Sequence, residues 1–87
     1  SVLFKNPLVG NEYQIIIRSF ESGDELIIKV ESSQKLSESE KMMLMRELQY
    51  DLKETILVTP KIEVVDPASL PRSEGKSKRI IYEKVNG

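Results

Sequence analysis

Residues 25–66, ELIIKVESSQKLSESEKMMLMRELQYDLKETILVTPKIEVVD, carry three periodicities in succession. From Glu25 to Glu31, Leu26, Ile28 and Val30 alternate against Ile27, Lys29 and Glu31, the two-residue repeat of a strand with one face toward a core. At Ser37 the pattern changes. Ser37-Glu38-Ser39-Glu40 fits a capping box, in which the Ser37 hydroxyl and the Glu40 carboxylate each satisfy a backbone donor left orphaned at a helix start. Leu44, Leu48, Leu52 and Ile56 then recur every fourth residue with Met45 and Thr55 beside them, while Lys41, Arg46, Asp51 and Lys53 face water. The spacing predicts a helix over Glu38 to Ile56. Pro60 stops its continuation, and Lys61 to Asp66 alternates again, Ile62 and Val64 against Glu63 and Val65. Strand, helix and strand in this order predict a crossover unit with two parallel strands beneath one helix and a right-handed connection.

Upstream, Pro7-Leu8-Val9-Gly10-Asn11 contains the turn formers that end whatever precedes them, and Tyr13 to Phe20, with Ile15, Ile16 and Ile17, reads as a strand. Glu21-Ser22-Gly23-Asp24 offers Gly and Asp for positive φ, so this strand and the next form an antiparallel hairpin. Downstream, Pro67 to Lys78 is rich in Pro, Ser, Gly and charge and reads as a loop, after which Arg79 to Val85 returns as a short edge strand or ribbon. The expected fold class is α+β: a small antiparallel or mixed sheet covered by one main helix, ferredoxin-like, with a C-terminal Lys-bearing loop and a short ribbon. Met42, Met43 and Met45 are expected in core or rim packing, and Tyr13, Tyr50 and Tyr82 as packing residues.

A chain of 87 residues supports one domain with a modest core and no deep, enclosed two-substrate site. A formal net charge of −1 argues against a general nucleic-acid binder, which needs a basic face to displace counterions. The charge is uneven, however. Residues 1–70 hold 8 basic and 12 acidic side chains, whereas residues 71–87 hold 5 basic and 2 acidic, a local excess suited to a phosphate-rich small molecule. With no cysteine and no histidine, structural zinc, thiol nucleophiles and histidine-based triads are excluded. No apolar run has the length of a membrane span and no signal peptide is visible, so a cytoplasmic setting is expected. The start at Ser1, leading at once into Val2-Leu3-Phe4, reads as the truncated end of an element, and the chain as a fragment.

One stretch departs from core and surface patterning: Leu70-Pro71-Arg72-Ser73-Glu74-Gly75-Lys76-Ser77-Lys78-Arg79. Pro71 restricts the entry, Gly75 permits a backbone approach that a side chain forbids, and Lys76 places a mobile amine beside it. Lysine neutralises phosphate oxygens as a compact point charge. On residue chemistry alone, a solvated loop is the commoner meaning of several Lys and Arg, and the spaced glycines of a Walker phosphate loop are missing.

The string Asp66-Pro67-Ala68-Ser69-Leu70-Pro71-Arg72-Ser73-Glu74-Gly75-Lys76-Ser77-Lys78-Arg79-Ile80-Ile81 resembles the C-terminal signature of phenylacetate-coenzyme A ligases, and Gly10-Asn11-Glu12-Tyr13-Gln14-Ile15 and Ile28-Lys29-Val30-Glu31 are similar to that family as well. The resemblance implies that residues 1–87 are the small, mobile C-terminal domain of an AMP-forming aryl- or acyl-coenzyme A ligase, without its large N-terminal ATP- and acyl-binding domain. It implies ATP, Mg2+ and coenzyme A as substrates or cofactors of the whole enzyme. Lys76 would be the catalytic residue of adenylation, and Gly75 and Lys76 would contact the phosphate of ATP or acyl-adenylate, with no metal ligand in this chain. Implied partners are the N-terminal domain, an aryl or acyl carboxylate and a homodimer mate, with no nucleic acid and no membrane. Arg72, Lys78 and Arg79 are expected to solvate the loop or to pair with acidic groups of the neighbouring domain. The isolated domain is expected to be catalytically silent. The alternative is a non-catalytic ferredoxin-like ligand-binding or interaction module, which fold alone does not exclude.

Overall fold

The sheet begins with the hairpin. In the computed structural model, which describes residues 5–56, 59–72 and 79–86, β1 (Val9–Phe20) and β2 (Gly23–Ser32) pair antiparallel around the two-residue turn Glu21-Ser22. Gly23 supplies the positive φ, 137°, that the turn requires. Ile15 faces Ile28 and Ile17 faces Leu26, while Ile16 faces Ile27 on the other side of the sheet.

The β1 strand starts four residues earlier than its sequence indicates, so Gly10 is a strand residue rather than a turn former. Its register slips between Val9 and Tyr13, a bulge in which four steps on β1 match two on β2. Gly10 makes that approach feasible: a Cβ there would lie 3.2 Å from the Glu31 carbonyl oxygen and 3.3 Å from that of Ser32.

The helix α1 (Glu38–Ile56) has the bounds its capping and repeat predict. The Ser37 N–H donates to Glu40 Oε1 at 2.9 Å and the Glu40 N–H donates to Ser37 Oγ at 3.2 Å, the two reciprocal bonds of a capping box. Leu44, Leu48 and Leu52 are buried against Ile28 and Val30 of β2, Ile62 of β3 (Lys61–Val65), Val9 and Leu36. Each such side chain contributes about 1.5–3 kcal/mol of apolar burial, which makes this seam the principal stabilising contact.

The stripe ends sooner than expected. Ile56, the last helical residue, is exposed, and so is Thr55, whose hydroxyl donates to the Asp51 carbonyl at 2.8 Å. Of the three methionines only Met45 packs against the core; Met42 and Met43 lie on the outer side of the helix, Met43 70% exposed. A three-residue cluster cannot share one face when each residue turns by 100°.

The strand order is β3-β2-β1-β4, with β2–β3 and β1–β4 (Ile80–Lys84) parallel. This four-stranded mixed sheet with one helix is α+β and fits a ferredoxin-like fold. The crossover expected between β2 and β3 is present as a parallel pair, Ile28 facing Ile62 and Val30 facing Val64. Because α1 lies over β2 and β3, the β1–β4 half of the same face has no helix on it among the described residues. Tyr82 is consequently 77% exposed and Tyr50, on the outer side of α1, 66%; only Tyr13 packs against the core as expected. Among the described residues no helix is long and apolar enough to cross a membrane.

One consequence of this order positions the site. The β3 and β4 strands occupy opposite edges, so the chain between them, residues 66–79, must travel the full width of the sheet.

Candidate functional site

Gly75 and Lys76, the residues singled out in the loop, lie outside the described residues, as do Glu74 and Lys78. Both stems of the loop are described, and each is fastened to the sheet.

The first stem leaves β3 at Asp66. Its carboxylate receives Lys35 Nζ at Oδ2 and Lys41 Nζ at Oδ1, both at 2.8 Å, tying the strand end to the segment before α1 and to the helix's first turn. The hydrogen bonds from Lys35 and Lys41 hold the Asp66 carboxyl at about 2. A tight turn follows, closed by the Ser69 N–H donating to the Asp66 carbonyl at 3.3 Å. Pro67 takes the second place and Ala68, with φ 64°, the third, where a left-handed residue is required and Gly or Asn is usual. Ala68 therefore holds a strained backbone in a segment that is otherwise closely fixed.

What fixes it is Glu31. At the end of β2, paired with Val65, it points to the face opposite α1, over which the chain crosses. It is 4% exposed, and its two oxygens accept three donors: the Ala68 N–H at 3.0 Å, the Leu70 N–H at 2.9 Å and Arg72 Nη2 at 3.1 Å. Burial pushes its carboxyl up, but the two backbone hydrogen bonds and the hydrogen bond and charge of Arg72 outweigh burial and hold it below the usual range. Leu70 is buried beside it. Arg72 also lies 3.8 Å from Glu12 of β1, so its guanidinium spans the two central strands.

The second stem enters β4 through Arg79, whose guanidinium carbon stands 4.6 Å from the centroid of the Tyr13 ring, a cation–π contact one residue before Ile80 pairs with Ile15. Arg72 and Arg79 thus have partners in their own domain rather than only on a neighbouring one. Lys76 lies four residues after Arg72 and three before Arg79. At about 3.6 Å per residue at most, its Cα stays within about 14 Å of one anchor and about 11 Å of the other.

In the sequence Glu31 stands only as the end of the family-like stretch Ile28-Lys29-Val30-Glu31, with no role of its own, in the polar position of an alternating strand. The signal for its role is a carboxylate at a strand end together with a later Pro-Ala-Ser-Leu-Pro-Arg segment whose amides need acceptors. A concavity of about 640 Å³ lies elsewhere, between the segment of Lys5 and the acidic side of α1 formed by Glu47, Asp51 and Glu54. Among the described residues no three acidic side chains converge to hold a metal ion.

Comparison with known proteins agrees with this architecture. The family described as AMP-binding enzyme C-terminal domain matches residues 1–84. No curated protein sequence matches the chain. A domain of phenylacetate-coenzyme A ligase from Bacteroides vulgatus is similar at 31% identity and a TM-score of 0.82, over 99% of this chain and 80% of that one. A 2-hydroxyisobutyryl-CoA ligase, in complex with 2-HIB-AMP and CoA in the thioesterification state, is similar at 26% identity and a TM-score of 0.82, over 95% of this chain and 18% of the ligase chain. The same ligase in the postadenylation state, in complex with R3-HIB-AMP, is similar at 28% identity and a TM-score of 0.77, over 94% of this chain and 18% of the ligase chain. The chain belongs to the AMP-binding enzyme C-terminal domain family, and within it is a C-terminal domain of the kind found in phenylacetate-coenzyme A ligase.

Proposed function

We propose that this domain serves an AMP-forming aryl- or acyl-coenzyme A ligase, working against a large N-terminal domain that binds ATP and the acid, and that Lys76 on its loop is the cation of the adenylation half-reaction. The observation that carries the reading is a loop with the ligase signature whose described stems are both anchored, at Glu31 and at Tyr13, on either side of the lysine. The similar 2-hydroxyisobutyryl-CoA ligase structures, which hold an acyl-AMP and CoA, support the reaction class.

In the first half-reaction a carboxylate oxygen of the acid attacks the α-phosphorus of ATP, and pyrophosphate leaves. Two anions meet, so an ammonium at the site of developing charge lowers the barrier and holds the reactants in line. Gly75 lets the backbone approach the phosphate, and Lys76 supplies the ammonium. In the second half-reaction the coenzyme A thiol attacks the acyl carbonyl, its proton is lost to solvent and AMP departs. That step places no demand on Lys76, so the domain must be able to turn against its partner between steps. Magnesium, which screens the triphosphate, rides with ATP and the large domain. Use of ATP and coenzyme A is consistent with a cytoplasmic enzyme.

In the full-length enzyme, Lys76→Ala is expected to lower adenylation at least 100-fold, the scale of a removed transition-state charge contact. Thioester formation from preformed acyl-adenylate should survive within about threefold. The 87-residue domain alone should make no acyl-coenzyme A. Wild-type adenylation by Lys76→Ala would instead favour a non-catalytic binding module.

A further inference from the structure

Resting on the adenylation role of Lys76, we propose that Glu31 is a positioning residue for that half-reaction: its carboxylate, closed over the Ala68 and Leu70 amides and the Arg72 guanidinium, fixes the path by which the lysine loop leaves the sheet. Three features of the geometry argue for it. Glu31 is buried at the end of a central strand, so its own position is set by the β1–β2–β3 ladder rather than by the loop. Its three donors come from alternate positions of one segment, 68, 70 and 72, so a single side chain orients five consecutive residues that no ladder holds. Among the described residues, the crossing segment from Pro67 to Arg72 makes no strand pairing of its own. Without Glu31 its described holds would be the tether at Asp66, the burial of Leu70 and the longer 3.8 Å contact of Arg72 with Glu12.

The carboxylate is a poor candidate for proton transfer. Both oxygens are occupied and the group is held in its charged form, so it cannot serve as an acid near neutral pH. Its effect on chemistry runs through placement. A displacement of about 1 Å at a reacting group costs up to about 100-fold in rate, whereas the thioester step, which does not use the lysine, should be indifferent.

The test uses the full-length enzyme. Glu31→Gln keeps the size but replaces one acceptor oxygen by an NH2 that meets an N–H donor, and it removes the charge opposite Arg72. Glu31→Asp keeps the charge on a shorter stem. Arg72→Gln removes one donor and leaves both backbone bonds, providing a milder variant should Glu31→Gln fail to fold. Under saturating ATP and acid, Glu31→Gln is expected to slow adenylation 10- to 100-fold. The apparent KM values and the thioester rate from preformed adenylate should stay within about twofold, Glu31→Asp should recover part of the loss, and Arg72→Gln should slow adenylation about threefold.

Equal loss of both half-reactions in Glu31→Gln and Arg72→Gln, tracking a lowered melting temperature, would overturn the inference in favour of a purely structural carboxylate. Wild-type adenylation by Glu31→Gln, with Lys76→Ala inactive in the same assay, would overturn it while leaving the lysine's role intact. Normal adenylation by Lys76→Ala would remove the premise itself, whatever Glu31 does.

Discussion

At Ala68 the chain tolerates a left-handed backbone, φ 64°, that costs an ordinary residue about 1–2 kcal/mol. Ala68→Gly removes this strain but adds about 0.4–1 kcal/mol of chain entropy to the unfolded state. The expected net result is a stabilisation of up to about 1.6 kcal/mol, read as a higher denaturation midpoint. Gly10 is the opposite case. A Cβ would press on two backbone carbonyls that have no freedom to move, so Gly10→Ala should destabilise by about 1–3 kcal/mol in the same measurement.

Acid sensitivity is also decided by single residues. Asp66 titrates at about 2 against an ordinary value of 3.8, and Glu31 is shifted in the same direction. A depressed folded-state pKa means that the unfolded chain takes up the proton first. The stability Asp66 contributes is therefore present above pH 3.8 and is lost as pH falls toward 2, and that of Glu31 is present above its ordinary 4.5 and is lost at pH below it. Stability should be flat from about pH 5 to 8 and decline steeply below 4, and Asp66→Asn should show a shallower decline than the parent protein, as followed by denaturant midpoints across that range. A decline of equal steepness in Asp66→Asn would remove Asp66 as its source.

Among the elements, α1 was the most legible because everything that defines it is local. The capping pair Ser37 and Glu40 sits three residues apart, and the leucines at 44, 48 and 52 identify the buried face without knowledge of what lies opposite. Leu48 has no exposed surface, and Leu48→Ala should cost about 2–5 kcal/mol, whereas Ser37→Ala should cost about 1 kcal/mol. A chemical denaturation series comparing the two would show whether core packing dominates the helix. Features set by distant partners were not legible. Tyr82 looks like a packing residue until the helix is seen to cover the other half of the sheet, Gly10 resembles a turn residue until its strand partner is known, and Glu31 reads as a solvent-facing side chain until a later segment crosses above it. The loop signature was visible as a string, but the anchors that give it direction belong to β1 and β2.

On the scale of the whole molecule, the order β3-β2-β1-β4 is what makes the loop. Parallel pairing at both edges forces a long return across the sheet, and a return that carries charge must be held by something other than a ladder. Glu31 and Tyr13 serve that purpose from the two central strands, so the described stems of the loop are joined to the sheet at two points. The most direct measurement is single-turnover release of pyrophosphate by the full-length enzyme carrying Lys76→Ala, with thioester formation from supplied acyl-adenylate recorded on the same preparation. A first step slowed at least 100-fold beside an almost unchanged second step is the expected result. Unimpaired pyrophosphate release would contradict the role given to the lysine.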